Sequence, residues 1–206
     1  MKLKYNKKEE KSDNIVHTYY EDFGWGRNWM LDAWEKSWRK NGWEPKILGP
    51  EDAKKHPKYE EILTKINTMP TVNDRRYENA CYLRWVAMAY IGGLMTDMDV
   101  INISYKPPCN YIKKILVYNK NYIPCMVSGS KESYEEVIDW MLEWNSSPVY
   151  RMHGLFHVSD MYLFSFHKPL IGYPLCEEYN NYTSSIIHCS CEASGKDRKK
   201  IIESLL

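Results

Sequence analysis

The chain has 206 residues, 44% hydrophobic and 14% aromatic, which is enough apolar material for one sizeable core and one domain. Lys and Arg number 28 against 27 Asp and Glu, a formal charge of +1. That balance excludes a surface dedicated to nucleic acid, which needs a strong basic excess.

The opening residues, MKLKYNKKEEK, carry no apolar core of the secretory-leader kind. No run of about 18 apolar residues occurs, so no transmembrane segment is expected. The six cysteines (81, 109, 125, 176, 189 and 191) form no CxxC pair. Reduced thiols in a cytoplasmic protein are the expectation.

Residues 1–13 are polar and are expected to be a flexible tail, with a single α/β domain over 14–206. Asn14–Tyr20, NIVHTYY, is rich in β-branched and aromatic residues and predicts a strand. A glycine-containing loop follows, flanked by Trp25 and Trp29. From Asn28 to Lys40, Met30, Leu31, Trp34 and Trp38 recur at helical spacing. Gly42 ends that helix, and EPKIL (44–48) predicts a second strand, giving a parallel βαβ start. A short helix is expected over 59–66. Residues 77–91, YENACYLRWVAMAYI, read as a long buried helix that Gly92-Gly93 stops. Leu94–Thr96 is then a short strand.

Further strands are predicted at 115–118, 125–128 and 186–188. Ser133-Tyr-Glu-Glu136 has capping-box spacing and opens a helix to about residue 144. GLFHVSDMYLFSF (154–166) reads as strand broken at Ser159-Asp160. A short basic helix spans 197–206.

The chemistry concentrates at GGLMTDMDV (92–100). On an extended chain, alternation turns Asp97 and Asp99 to the same side. Two such carboxylates make an oxygen-rich site for a hard divalent cation, Mn²⁺ or Mg²⁺. Ligand sites in α/β proteins lie just beyond the carboxyl ends of strands, where this pair falls. Arg84, always charged, sits on the preceding helix and is a partner for a phosphate, a donor sugar or a buried acid such as Asp97.

Tyr82-Leu-Arg84-Trp, Tyr90-Ile-Gly-Gly93 and Thr96-Asp-Met-Asp99-Val together resemble the DXD-containing sugar-binding region of nucleotide-sugar glycosyltransferases. That family includes yeast-type mannosyltransferases and the large clostridial glucosylating toxins. The resemblance covers about residues 80–102. It implies a GT-A, Rossmann-like domain whose mixed, mainly parallel central sheet is flanked by helices. It also implies a nucleotide-sugar donor, UDP-linked or GDP-linked, and a glycan or glycoprotein acceptor. The small size is similar to that of chlorella-virus enzymes that glycosylate their own capsids, which would put the chain in a host cytoplasm. In such a domain Asp97 and Asp99 hold metal and donor, and His188 adds a neutral imidazole ligand. His17, Thr18 and Tyr19, at the end of the first strand, border the nucleotide. Lys196 and Arg198 clamp the diphosphate. The family usually places an acid three residues before this arginine. Cys81 stands there, which points to a less hydroxylated donor such as a deoxysugar.

Asp160, an isolated acid between apolar runs, is the candidate base for an acceptor hydroxyl in an inverting reaction. His153 and His157 are four apart but lack the glutamate of a zinc-protease helix. Two other classes also use features of this chain. Haloacid-dehalogenase-type phosphatases place D-x-D at a strand end, and carbohydrate-binding modules expose aromatic rings.

Overall fold

The structure is a computed structural model. It describes residues 11–143, 157–173, 175–179, 184–190 and 197–206. A six-stranded mixed sheet forms its centre. Its strands are β2 (Ile15–Tyr19), β3 (Glu44–Leu48), β4 (Gly93–Thr96), β7 (Leu116–Val117), β8 (Met126–Gly129) and β9 (Leu170–Ile171), in the order β3-β2-β4-β8-β7-β9. β2 runs parallel to both β3 and β4, and β7 runs parallel to β9. β8 runs antiparallel to β4 and β7. The expected α/β class, with a mixed sheet flanked by helices, is what the structure shows.

Side-chain alternation divides the core. Met95, Val117 and Val127 face one way. They pack against α2 (Pro50–Ala53), α3 (Tyr59–Ile66), α4 (Arg75–Ile91), α5 (Lys131–Glu143) and α6 (Asp160–His167). Val16, Leu94 and Met126 face the other way, onto Trp34 and Trp38 of α1 (Asn28–Lys40). Both tryptophans are fully buried. Their indole N–H groups donate to Thr96 Oγ1 at 2.8 Å and to the Val100 carbonyl at 3.1 Å. The apolar bodies thus fill the core without stranding a donor.

α4 is the central element. Residues 85–89 are all buried, and Trp85 stacks on Phe164 with ring centroids 4.9 Å apart. Asp74 caps it by accepting from Arg76 N and Tyr77 N. Gly92 ends it at φ 75°, ψ 176°, its N–H donating to the Met88 carbonyl. That backbone region is essentially glycine's alone. The turn feeds the chain into β4 beside β2.

A second sheet, of order β10-β11-β5, joins β5 (Val100–Asn102), β10 (Glu177–Glu178) and β11 (Ile186–His188). β10 pairs parallel and β5 antiparallel with β11. The closing helix, α7 (Arg198–Leu205), buries Ile202.

Three segments differ from the sequence-based expectation. Residues 11–13 of the expected tail form a strand, β1, antiparallel to β6 (Cys109–Tyr111). Backbone pairing supplies its order, and its polar composition gives no hint of it. α5 begins at Lys131, because the Ser130 hydroxyl accepts from Ser133 N at 3.3 Å. Ser133 is therefore inside the first turn and buried, and Ser130 occupies the cap. The predicted strand around 159–166 is instead the helix α6. Ser159 accepts from Tyr162 N, and Asp160 opens the first turn, a combination that favours a helix start. Residues 154–156 of that prediction lie outside the described residues.

Candidate metal centre

Asp97 follows the last residue of β4. The chain does not stay extended there. Val100 N donates to the Asp97 carbonyl at 3.1 Å, closing a turn over 97–100. This turn, not strand alternation, brings the two carboxylates together. Two further bonds fix its ends, from Asp97 N to the Cys125 carbonyl at 2.8 Å and from Cys189 N to the Asp99 carbonyl at 2.9 Å. β11 pairs His188 with Val100, which sets the imidazole beside Asp99. One ligand atom from each of Asp97, Asp99 and His188 lies within 4.8 Å of the others. Asp99 Oδ1 is buried without a hydrogen-bond partner, and His188 Nε2 is 3.5 Å from it. Two carboxylates, one with an unsatisfied oxygen, and one imidazole form a group able to hold a divalent cation.

Arginines compensate both acids. Arg84 donates to Asp97 and, through Nε at 3.1 Å and through Nη2, to Asp160 Oδ2. Trp85 Nε1 donates to the same Asp160 oxygen at 3.1 Å. Arg198 donates to Asp99, and its Nε donates to the Cys189 carbonyl at 2.6 Å. Burial pushes the Asp97 carboxyl up to about 6, with neighbouring Asp99 adding to the rise and Arg84 opposing it. Asp99 moves the other way. Burial would raise it, but the charges of His188 and Arg198 hold it low. One acid resists ionisation while its neighbour stays ionised, as expected for carboxylates this close.

The group lies in a cleft of about 450 Å³. Tyr19, Arg84, Asp97, Asp99, Asp160, His188 and Arg198, all expected at the site, line it together. His17 and Thr18 do not. They are sealed inside the sheet, paired in register with Lys46 and Ile47. His17 Nδ1 lies 3.1 Å from the Leu94 carbonyl. Lys196 and His153 lie outside the described residues. Cys81 faces the cleft, and burial, with Asp160 nearby, raises its thiol to about 12.

Beside Trp25, which flanks the glycine loop, the cleft is lined by Phe23, Tyr77 and Ser190, for which the sequence raised no expectation. Phe23, Trp25 and Tyr77 form a cluster, with Trp25 centroids 5.0 Å from Phe23 and 5.6 Å from Tyr77. Arg27 lies over Trp25 at 4.7 Å. The phase of α4 gave a signal for Tyr77, which is seven residues before Arg84 and on the same face. Ser190 lies two residues beyond β11, and its hydroxyl donates to Glu178 of the small sheet. No local sequence pattern marks Ser190 or its partner Glu178.

No family model matches the chain, and no curated protein matches it. Among solved structures it is similar to the PaToxG Glycosyltransferase, with a TM-score of 0.49 and 12% identity. That likeness covers 77% of this chain and 69% of the other. Among the described residues, no helix is long and apolar enough to cross a membrane.

Proposed function

We propose that the protein is a metal-dependent glycosyltransferase of the GT-A kind. It takes a sugar from a nucleotide diphosphate sugar, UDP-linked, to a hydroxyl of a glycan or glycoprotein. One observation carries this reading: Asp97, Asp99 and His188 converge in a cleft that also presents Arg27, Arg84 and Arg198 and a cluster of aromatic rings.

Asp97, Asp99 and His188 would hold Mn²⁺ or Mg²⁺. When bound, the cation neutralises diphosphate charge and stabilises the departing nucleoside diphosphate. Arg198, already at the edge of the group, presents a planar fork of donors suited to a phosphate. Tyr19 and the Phe23–Trp25–Tyr77 cluster give stacking faces for a base, worth about 1–3 kcal/mol per base. Arg84 reaches the donor from α4. Asp160 has Oδ2 committed to Arg84 and Trp85, so we assign it to holding Arg84. Only its second oxygen is left for an acceptor proton. Cys81 offers no strong acceptor for a sugar hydroxyl, which favours a deoxysugar.

The test is Mn²⁺-dependent release of UDP from a panel of UDP-sugars. Wild type should release it, and Asp99→Asn should lose at least about 100-fold, as expected when several kcal/mol of charge stabilisation is removed. Hydrolysis of an aryl phosphate without nucleotide binding would replace this reading with a phosphatase.

A further inference from the structure

The ring of His188 has two nitrogens with different neighbours. Nε2 faces Asp99 Oδ1 at 3.5 Å, on the side of the candidate metal. Nδ1 lies 2.6 Å from Glu178 Oε1. The other Glu178 oxygen, Oε2, accepts from the Ser190 hydroxyl at 2.8 Å. The parallel register of β10 and β11 sets Glu178 directly against His188. The Glu178 side chain is only 26% exposed, and His188 only 8%. The result is a chain of contacts, Ser190 to Glu178 to His188 to Asp99, ending at the cleft.

We propose that Glu178 is a positioning residue for the metal centre. It accepts a hydrogen bond from the Nδ1–H of His188, leaving the Nε2 lone pair for the cation, and Ser190 fixes the Glu178 carboxylate in turn. A histidine ligand whose second nitrogen donates to a carboxylate is held in one tautomer and one ring orientation and is a more basic ligand. Losing such a partner typically costs 10- to 100-fold in metal affinity. This role rests on the metal-centre reading proposed above. It adds a residue that touches neither cation nor substrate.

A merely structural Glu178 would behave differently. It would tie β10 to β11, and its loss would lower the melting temperature of the metal-free protein without touching metal affinity. A double-mutant cycle separates the two. Mn²⁺ dissociation constants of the purified full chain are measured by the electron paramagnetic resonance signal of unbound Mn²⁺. The proteins are wild type, Glu178→Gln, His188→Ala and the double variant. Glu178→Gln should weaken Mn²⁺ binding about 10- to 100-fold. In the His188→Ala background the same change should have no further effect, because Glu178 acts through that ring. Should Glu178→Gln not fold, Ser190→Ala tests the same chain and should weaken Mn²⁺ binding less, in the same direction, again only when His188 is present. Unchanged affinity in these variants, or equal losses with and without His188, overturns the proposal and leaves the metal centre standing. A wild-type protein that binds no Mn²⁺ removes both.

Discussion

Arg84 shares its guanidinium between Asp97, whose side chain is 34% exposed, and the buried Asp160. Removing the guanidinium leaves both acids without their charge partner, the buried Asp160 with only the Trp85 N–H. Arg84→Met should therefore destabilise the fold by about 3–5 kcal/mol, read from urea denaturation. The effect should shrink at low pH, where Asp97 takes up a proton. The raised Asp97 carboxyl sets a second expectation. In the folded metal-free protein it binds its proton up to about pH 6, well above an ordinary aspartate. Between about pH 4 and 6 the native state thus holds more protons at this site than the unfolded chain. As far as Asp97 is concerned, apo stability falls as pH rises through that window. A cation must displace that proton below pH 6. The Mn²⁺-induced rise in melting temperature should be small at pH 5 and grow as pH rises through 6. It should go on growing above that, because, against the effect of burial, Cys125 and Asp99 raise the His188 imidazolium and a cation must displace that proton too. A rise independent of pH over that range would sink the assignment of Asp97 as a ligand.

At the scale of elements, the α4–Gly92–β4 unit aims the acid pair. Gly92 sits at a positive φ, and a Cβ there would come within 3.3 Å of Lys131 N. Gly92→Ala should cost about 1–3 kcal/mol in thermal or urea unfolding, through backbone strain. α1, β3, α4 and β4 were legible in the sequence. Their apolar spacing and glycine stops agree with their burial, so local and tertiary preferences coincide. α6 was not, because Met161-Tyr162-Leu163-Phe164 is an apolar run without a clear period. The Ser159 cap and the packing of Phe164 on Trp85 settle it as helix. β1 and the pairing of β5 exist through partners far along the chain, and no local pattern announces them or β10.

Over the whole molecule, the cleft gathers residues from both ends of the chain, from Tyr19 to Arg198. If a nucleoside diphosphate and a cation share this cleft, each should strengthen the other. UDP alone should shift the melting temperature slightly, Mn²⁺ alone modestly, and both together by more than their sum. At 100 times the dissociation constant, one ligand stabilises by about 2.7 kcal/mol. Differential scanning fluorimetry with the two ligands, singly and together, checks this. Strict additivity would count against a shared site.

The D-x-D pair, the arginine thirteen residues before it and the glycine stop between them are local features, and the sequence alone determined them. Helical period and turn chemistry act over a few residues, and so do their signals. Long-range packing decided the rest. Arg84 meets Asp160 across 76 residues and Asp99 meets Arg198 across 99. His188 reaches the acids because β11 pairs with β5. His17 and Thr18 are taken out of the site because a strand at the centre of a sheet buries both of its faces. Which acids are compensated, and by which cations, depends on burial, and burial belongs to the folded chain.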